Sequence, residues 1–122
     1  MPYKNTWEQH GVYRIFSGKI TGQEVLQSVQ EVESDNRFDN IRYVINNFLD
    51  VTEIGVSPKD IKIIAAIDTA AALTNPDIKI AQIATDPQIK ALNILYSEVT
   101  GNSPYPTQVF SNLEDARKWL EE

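Results

Sequence analysis

Hydrophobic and polar positions alternate between strand-like and helix-like spacing along the chain. Aromatic and β-branched runs at residues 3–8 and 12–16 flank His10-Gly11, which predicts an opening antiparallel hairpin. Runs at residues 41–45, 78–84 and 107–110 have the composition of further strands. The polar stretch at residues 46–53 predicts a connection that leaves the sheet after the third strand.

Capping residues precede four segments with helical periodicity. Thr21 and Glu24 have the form of a capping box, and residues 111–114 (Ser-Asn-Leu-Glu) repeat it near the end of the chain. Ser57-Pro58 and Asp86-Pro87 place proline at the first helical position. The second helix is predicted to run to about Leu73 and the third to end at Gly101. The last helix is predicted to bury Leu113, Ala116, Trp119 and Leu120.

The resulting order β-β-α-β-α-β-α-β-α predicts an α/β fold. Strands that alternate with helices favour a mixed, mainly parallel sheet with helices packed on it, here with an N-terminal antiparallel hairpin. Residues 103–106 (Ser-Pro-Tyr-Pro) are read as a rigid connector before the last strand. With 122 residues, we expect one domain over residues 1–122.

The helix after Pro58 is apolar on more of its circumference than one sheet-facing side requires. One stripe contains Ile61, Ile64, Ala65 and Ala72, and a roughly opposite stripe contains Ile63, Ala66, Ile67, Ala70 and Leu73. Asp68 falls in the first stripe, and an unpaired carboxylate is costly to bury. We therefore expect the second stripe to face the core. The first stripe, with Ile61, Ile64, Ala65 and Asp68, is the predicted interface, covered by a second copy of the chain, another protein or a mobile lid. The alternative is a small-residue helix wedged between neighbouring loops.

Charge and composition narrow the classes of partner. The net charge is −6 and the 11 basic residues are scattered, so we expect no nucleic-acid partner. No apolar run approaches the ~20 residues of a membrane helix, and the polar start lacks the apolar core of a signal peptide, so a cytoplasmic protein is expected. The chain has no cysteine, which removes disulfides and thiolate chemistry.

Three segments carry a resemblance to a known family. They are residues 11–21 (Gly-Val-Tyr-Arg-Ile-Phe-Ser-Gly-Lys-Ile-Thr), the connection at 46–57, and residues 110–120 (Phe-Ser-Asn-Leu-Glu-Asp-Ala-Arg-Lys-Trp-Leu). Together they resemble the STAS superfamily, in particular its small stand-alone branch that is similar to the sporulation anti-sigma-factor antagonist (SpoIIAA-like). That branch has also been compared with lipid-binding Sec14-type domains. The resemblance implies a non-enzymatic regulatory or protein-interaction domain with a protein partner or self-association.

The antagonists of this family carry a phosphorylatable serine in an Asp-Ser-Ser-Gly-like loop. The corresponding stretch here is Asp50-Val-Thr-Glu-Ile-Gly-Val-Ser57, with Gly55 or Val56 about where the switch serine lies. Thr52 and Ser57 are the nearby hydroxyls, and Ser57 already has a structural use as a helix cap. We therefore expect the chain to lack the usual switch serine, with phosphorylation of Thr52 or Ser57 as the open alternative.

Catalytic signatures are missing from the sequence. It contains no Gly-rich phosphate loop and no Gly-x-Ser-x-Gly motif, and the lone His10 is placed in a turn. Asp50 and Glu53 are interpreted as solvated acids rather than as a catalytic or metal-binding pair. No catalytic residue, metal or cofactor is therefore expected.

The strand ends offer a second class of function. In open α/β sheets, ligands bind in the crevice outside the carboxyl ends of the strands. The candidate ligand-binding residues at this rim are Asn46, Asn47, Phe48, Asp50 and Thr85. The alternative function is therefore binding or sensing of a small apolar or lipid-like ligand at that crevice.

Overall fold

The predicted order of strands and helices is confirmed in a computed structural model, which describes residues 2–101 and 105–122. The strands are β1 (Tyr3–Trp7), β2 (Gly11–Thr21), β3 (Tyr43–Gly55), β4 (Lys79–Ile83) and β5 (Thr107–Phe110). The α-helices are α1 (Gly22–Glu33), α2 (Pro58–Ala71), α3 (Pro87–Thr100) and α4 (Leu113–Leu120), and a short 3-10 helix (Asn36–Asn40) follows α1. Two residues of the predicted connector, Ser103 and Pro104, lie outside the described residues.

The strands lie in the sheet in chain order, β1-β2-β3-β4-β5. β1 is antiparallel to β2, and every later pair is parallel. The fold is therefore the predicted α/β class with a mixed, mainly parallel sheet. β2 runs past its predicted end, and its pairing with β3 shifts register twice. At the second shift Gly18 has a φ of 68°, a conformation that favours glycine.

Helices cover both faces of the sheet. On the inner face, Val12, Val44 and Ile80 form a buried cluster with residues of α1, α2 and α3. On the outer face, α4 is the helix that packs among the described residues, and its Ala116 is buried against Ile45, Ala81 and Ile83. The predicted buried side of α4 is confirmed in this cluster, since Leu113, Trp119 and Leu120 are its half-buried members. Every helix among the described residues is too short or too polar to cross a membrane.

The caps agree with the sequence except at the last helix. Thr21 and Ser57 form capping boxes with Glu24 and Asp60, and Asp86 caps α3. α4 begins one residue later than predicted, because the Asn112 side chain, not that of Ser111, accepts the backbone N–H of Asp115 at 2.8 Å. α2 ends at Ala71, two residues before the predicted end.

The polar stretch at residues 46–53 is not a connection, because β3 continues through it to Gly55. Parallel pairing with β2 extends to the pair Thr21↔Gly55, whereas pairing with β4 stops at Asn47↔Ile83. The prediction failed because polar side chains here find partners within the fold. Asn46 binds Arg14, and Asn47 binds Tyr13.

The two stripes of α2 are assigned the wrong way round by the sequence. Ile61, Ile64, Ala65 and Asp68, the predicted interface, are buried in the core. The opposite stripe faces outward, with Ile63 41% exposed and Leu73, just beyond the helix, 90% exposed. The reasoning failed at Asp68, whose carboxylate is not unpaired because Tyr96 donates its hydroxyl hydrogen to it.

Candidate functional site

A row of polar side chains crosses the inner face of the sheet. Asn5, Arg14, Asn46 and Gln82 lie on four neighbouring strands as successive register partners. We call these four residues the polar row. It separates two apolar clusters, one around Val12, Val44 and Ile80 and the other around Phe16, Phe48 and Ala84. Side chains of this kind at the centre of a sheet need partners inside the fold.

Arg14 is the charged member of the polar row and is only 3% exposed. Its Nε donates to Asn5 Oδ1 at 2.7 Å, its Nη1 to Asn46 Oδ1 at 2.9 Å, and its Nη2 to the Ser28 carbonyl at 3.1 Å. Burial lowers the pKa of Arg14 to about 10, opposed by the nearby charge of Asp68. The guanidinium is therefore cationic at neutral pH and held in one orientation.

Two acids from the helices are near the polar row. Asp68 of α2 accepts the Tyr96 hydroxyl at 2.5 Å. Burial, followed by the hydrogen bond to Asp68, raises the pKa of Glu33, at the end of α1, to about 9. Burial also raises the pKa of Tyr96, with a further contribution from the charge of Asp68. Glu33 is therefore protonated at neutral pH.

An interior cavity of about 80 Å³ lies between the polar row and helices α1, α2 and α3. Its walls are mostly aliphatic and aromatic, and they include the charged groups described above. Two further polar groups line it, Gln82 of β4 and Asn93 of α3, each 5% exposed. Gln82 Oε1 and Asn93 Nδ2 have no hydrogen-bond partner among the residues that the structure describes. Each such buried group costs about 1–3 kcal/mol when it is left unpaired.

Glu33 lies between the cavity and the protein surface. It lines the cavity and also two surface grooves. One groove follows α1 past Gln27 and Gln30, and the other runs beside α2 past Ala70 and Thr74. The side of the cavity nearest the solvent is therefore the boundary between α1 and α2.

The structure brings two of the five predicted ligand-binding residues to the cavity. Asn46 and Phe48 line it, and the Phe48 ring stacks on Phe16 with 4.8 Å between centroids. Asn47 lies on the outer face, where its Nδ2 donates to the Tyr13 hydroxyl at 2.9 Å. Asp50 and Thr85 are exposed and do not line the cavity. Three residues of the predicted interface, Ile61, Ile64 and Asp68, line it as well.

Comparison with known proteins connects this architecture to a known fold. No protein-family model and no curated protein matches the chain. An anti-sigma factor antagonist from Mycobacterium paratuberculosis is similar in structure, with a TM-score of 0.60, 16% identity, and coverage of 98% of this chain and 93% of that one. An uncharacterised DUF3478 protein with a SpoIIAA-like fold, from Shewanella loihica, has a TM-score of 0.54 and 14% identity over 97% of this chain and 91% of that one. This chain has a SpoIIAA-like fold.

Within the SpoIIAA-like fold, residues 50–57 run from the end of β3 to Ser57, the N-cap of α2. Ser57 Oγ accepts the backbone N–H of Asp60 at 3.1 Å, and Asp60 Oδ2 accepts the Ser57 N–H at 2.9 Å. The hydroxyl oxygen and the backbone N–H of Ser57 are therefore both engaged in the capping box. Thr52 is exposed on β3.

Sequence reasoning missed most polar residues of the cavity: Arg14, Glu33, Gln82, Asn93 and Tyr96. A signal was available for the two on strands. Arg14 occupies an inward position between Val12 and Phe16, and Gln82 one between Ile80 and Ala84. A polar residue at an inward strand position marks a buried hydrogen-bonding site. The helical residues give no such signal, because their position depends on how α1, α2 and α3 pack. Among the described residues, no group of three or more His, Asp or Glu is arranged to hold a metal ion.

Proposed function

We propose that this chain is a non-enzymatic regulatory domain of the STAS type whose interior cavity binds a small ligand. The observation that carries the proposal is the pair of buried, unpartnered groups at the cavity, Gln82 Oε1 and Asn93 Nδ2. A regulatory role is supported by the similarity in fold to a protein named as an anti-sigma factor antagonist.

A ligand is expected in the cavity because buried polar groups normally have a hydrogen-bond partner. A ligand that bonds to both Gln82 and Asn93 recovers the cost of leaving them unpaired, about 1–3 kcal/mol each. The surrounding apolar wall adds hydrophobic contact for the rest of the ligand. Ligand binding is therefore expected to raise the free energy of unfolding by an amount that grows with the logarithm of ligand concentration.

Regulation by a ligand agrees with the sequence of residues 50–57, where the family's antagonists carry their phosphorylatable serine. We propose that this chain lacks the family's switch serine, since the Ser57 hydroxyl is used to cap α2. Occupancy of the cavity then takes the place of phosphate as the signal. α2 is suited to transmit it, because Ile64 and Asp68 line the cavity while Ile63 is exposed on its outer side.

The test is native mass spectrometry of the protein purified from its own host. The wild-type chain is expected to carry a small additional mass. The Gln82→Leu variant is expected to lose it, and the control Gln108→Leu, at an exposed position on β5, is expected to retain it. A wild-type chain that carries no additional mass, and whose melting temperature is unchanged by a small-molecule extract of the host, contradicts the proposal.

A protein partner is the second candidate function, with the outer face of α2 as the docking surface. Ile63 and Leu73 are exposed there. The net charge of −6 opposes a second copy of the chain and favours a different protein with a basic surface.

Cross-linking in the host compares the wild type with Leu73→Asp and with Leu49→Asp, an exposed leucine on β3 as control. A protein linked to α2 in the wild type and the control but lost in Leu73→Asp supports this function. Identical links in all three, or a dimer that only Leu73→Asp dissociates, contradicts it.

A further inference from the structure

The chemistry of the cavity wall defines the class of ligand. We propose that the cavity takes a small molecule with no net charge, a short apolar body, and one group that both donates and accepts a hydrogen bond, such as a primary amide or an alcohol. This inference rests on the proposed function, since it assigns the ligand of the same cavity.

The charge of Arg14 is already provided for within the cavity wall. Its guanidinium is fixed by three hydrogen bonds, and the nearby Asp68 carboxyl, which accepts the Tyr96 hydroxyl, favours its charged form. Glu33 is protonated at neutral pH because burial raises its pKa to about 9. A charged ligand adds a charge with no counter-charge in the wall, and burying an unpaired charge is far more costly than burying a hydrogen-bonded neutral group.

The two unpartnered atoms in the cavity have opposite hydrogen-bonding needs. Gln82 Oε1 is an acceptor that needs a donor, and Asn93 Nδ2 is a donor that needs an acceptor. A hydroxyl or a primary amide meets both needs. A ketone or an ether meets only that of Asn93, and a hydrocarbon meets neither.

The volume of the cavity limits the size of the ligand. An apolar cavity of about 150 Å³ holds benzene, so a cavity of about 80 Å³ accommodates roughly three to five non-hydrogen atoms. Aliphatic and aromatic side chains such as Phe16, Val44, Ile61 and Ile80 surround that space. The ligand's body is therefore short and apolar, and a whole lipid chain exceeds the volume.

The experiment uses four molecules of nearly equal shape that differ in charge and hydrogen bonding. They are propanamide (neutral, donor and acceptor), 2-butanone (neutral, acceptor only), propanoate (anion) and propanamidinium (cation). Each is titrated at pH 7 into the ¹⁵N-labelled protein, and the side-chain amide signals of Gln82 and Asn93 are followed by NMR. We expect propanamide to shift both signals and to bind at least tenfold more tightly than the other three.

The variant Gln82→Leu is expected to bring the affinities for propanamide and 2-butanone within about threefold of each other, since it removes the acceptor that distinguishes them. The control Gln108→Leu is expected to preserve the wild-type order.

The other outcomes distinguish a wrong ligand class from a cavity that binds no ligand. If propanoate or propanamidinium binds most tightly, the assignment of a neutral ligand is wrong while the cavity remains a binding site. If 2-butanone binds the wild type as tightly as propanamide, the hydrogen-bonding requirement is wrong. If none of the four shifts the Gln82 or Asn93 signals, both this inference and the proposed function are wrong.

Discussion

Replacing Glu33 by glutamine tests the electrostatics of the cavity. In the folded chain, Glu33 is protonated near neutral pH because burial and the hydrogen bond to Asp68 raise its pKa from 4.5 to about 9. A glutamine amide also donates to Asp68 but has no proton to lose. The charged group that faces it from β2 is Arg14, which stays cationic over this range.

Proton linkage makes the folded wild type less stable as the pH rises. Between pH 4.5 and about 9, the folded wild type holds a proton on Glu33 that the unfolded chain has released, so its free energy of unfolding falls as the pH rises. From pH 5 to pH 8, three pH units at about 1.4 kcal/mol each give an upper limit of about 4 kcal/mol for the loss of unfolding free energy. Because the Glu33 side chain is partly exposed, solvent screening reduces the expected loss of unfolding free energy to about 1–2 kcal/mol between pH 5 and pH 8.

The assay is urea denaturation of wild type, Glu33→Gln and the control Glu98→Gln, an exposed position on α3, at pH 5 and pH 8. We expect Glu33→Gln to gain about 1–2 kcal/mol over the wild type on going from pH 5 to pH 8, while the control follows the wild type. A difference between Glu33→Gln and wild type that does not change with pH, or that changes in the opposite direction, refutes the reasoning.

Four further predictions concern burial, helix capping and phosphorylation. Ile64→Glu is expected to lower the free energy of unfolding by about 3 kcal/mol or more because it buries a charge. The control Lys62→Glu, on the exposed side of α2, is expected to change it by less than about 0.5 kcal/mol. A fully stable Ile64→Glu variant contradicts the assignment of Ile64 to the core. Leu120→Ala is expected to cost about 1–3 kcal/mol in urea denaturation, since Leu120 is half-buried against the outer face of the sheet, and no measurable loss places α4 off the sheet. Ser57→Ala is expected to lower the free energy of unfolding by about 1 kcal/mol because it removes the cap of α2. A serine kinase of the anti-sigma type is expected to leave residues 50–57 of the wild type unmodified in mass spectrometry. Stoichiometric phosphate on these residues contradicts that last prediction.

The parts of the fold that sequence predicts well are those with local causes. The hairpin at His10-Gly11 and the caps at Thr21 and Asp86 each depend on residues a few positions apart, so the chain itself contains the whole signal. The extension of β3 through residues 46–53 was missed because its cause is not local. Asn46 is suited to a strand only because Arg14, 32 residues earlier, supplies its partner.

Residues of the candidate site were also missed because their partners are distant in the sequence. Asp68 was placed on the surface because its partner Tyr96 lies 28 residues further along the chain, on a different helix. Asn46 and Phe48 line the cavity, but they lie within β3 rather than beyond its carboxyl end, so the rule for strand ends named them for a different reason, and their role in ligand binding stays a prediction. Gln82 and Asn93 line one cavity only once β4 and α3 are in place in the fold, so their lack of partners is visible only in the folded structure.

The most direct test of the central claim is a crystal structure of the wild-type chain grown with propanamide, at about 1.2 Å resolution so that amide orientation is defined. We predict propanamide in the cavity, with its nitrogen about 2.9 Å from Gln82 Oε1 and its oxygen about 2.9 Å from Asn93 Nδ2. A cavity without propanamide, in which Gln82 and Asn93 bond to each other, would contradict the account.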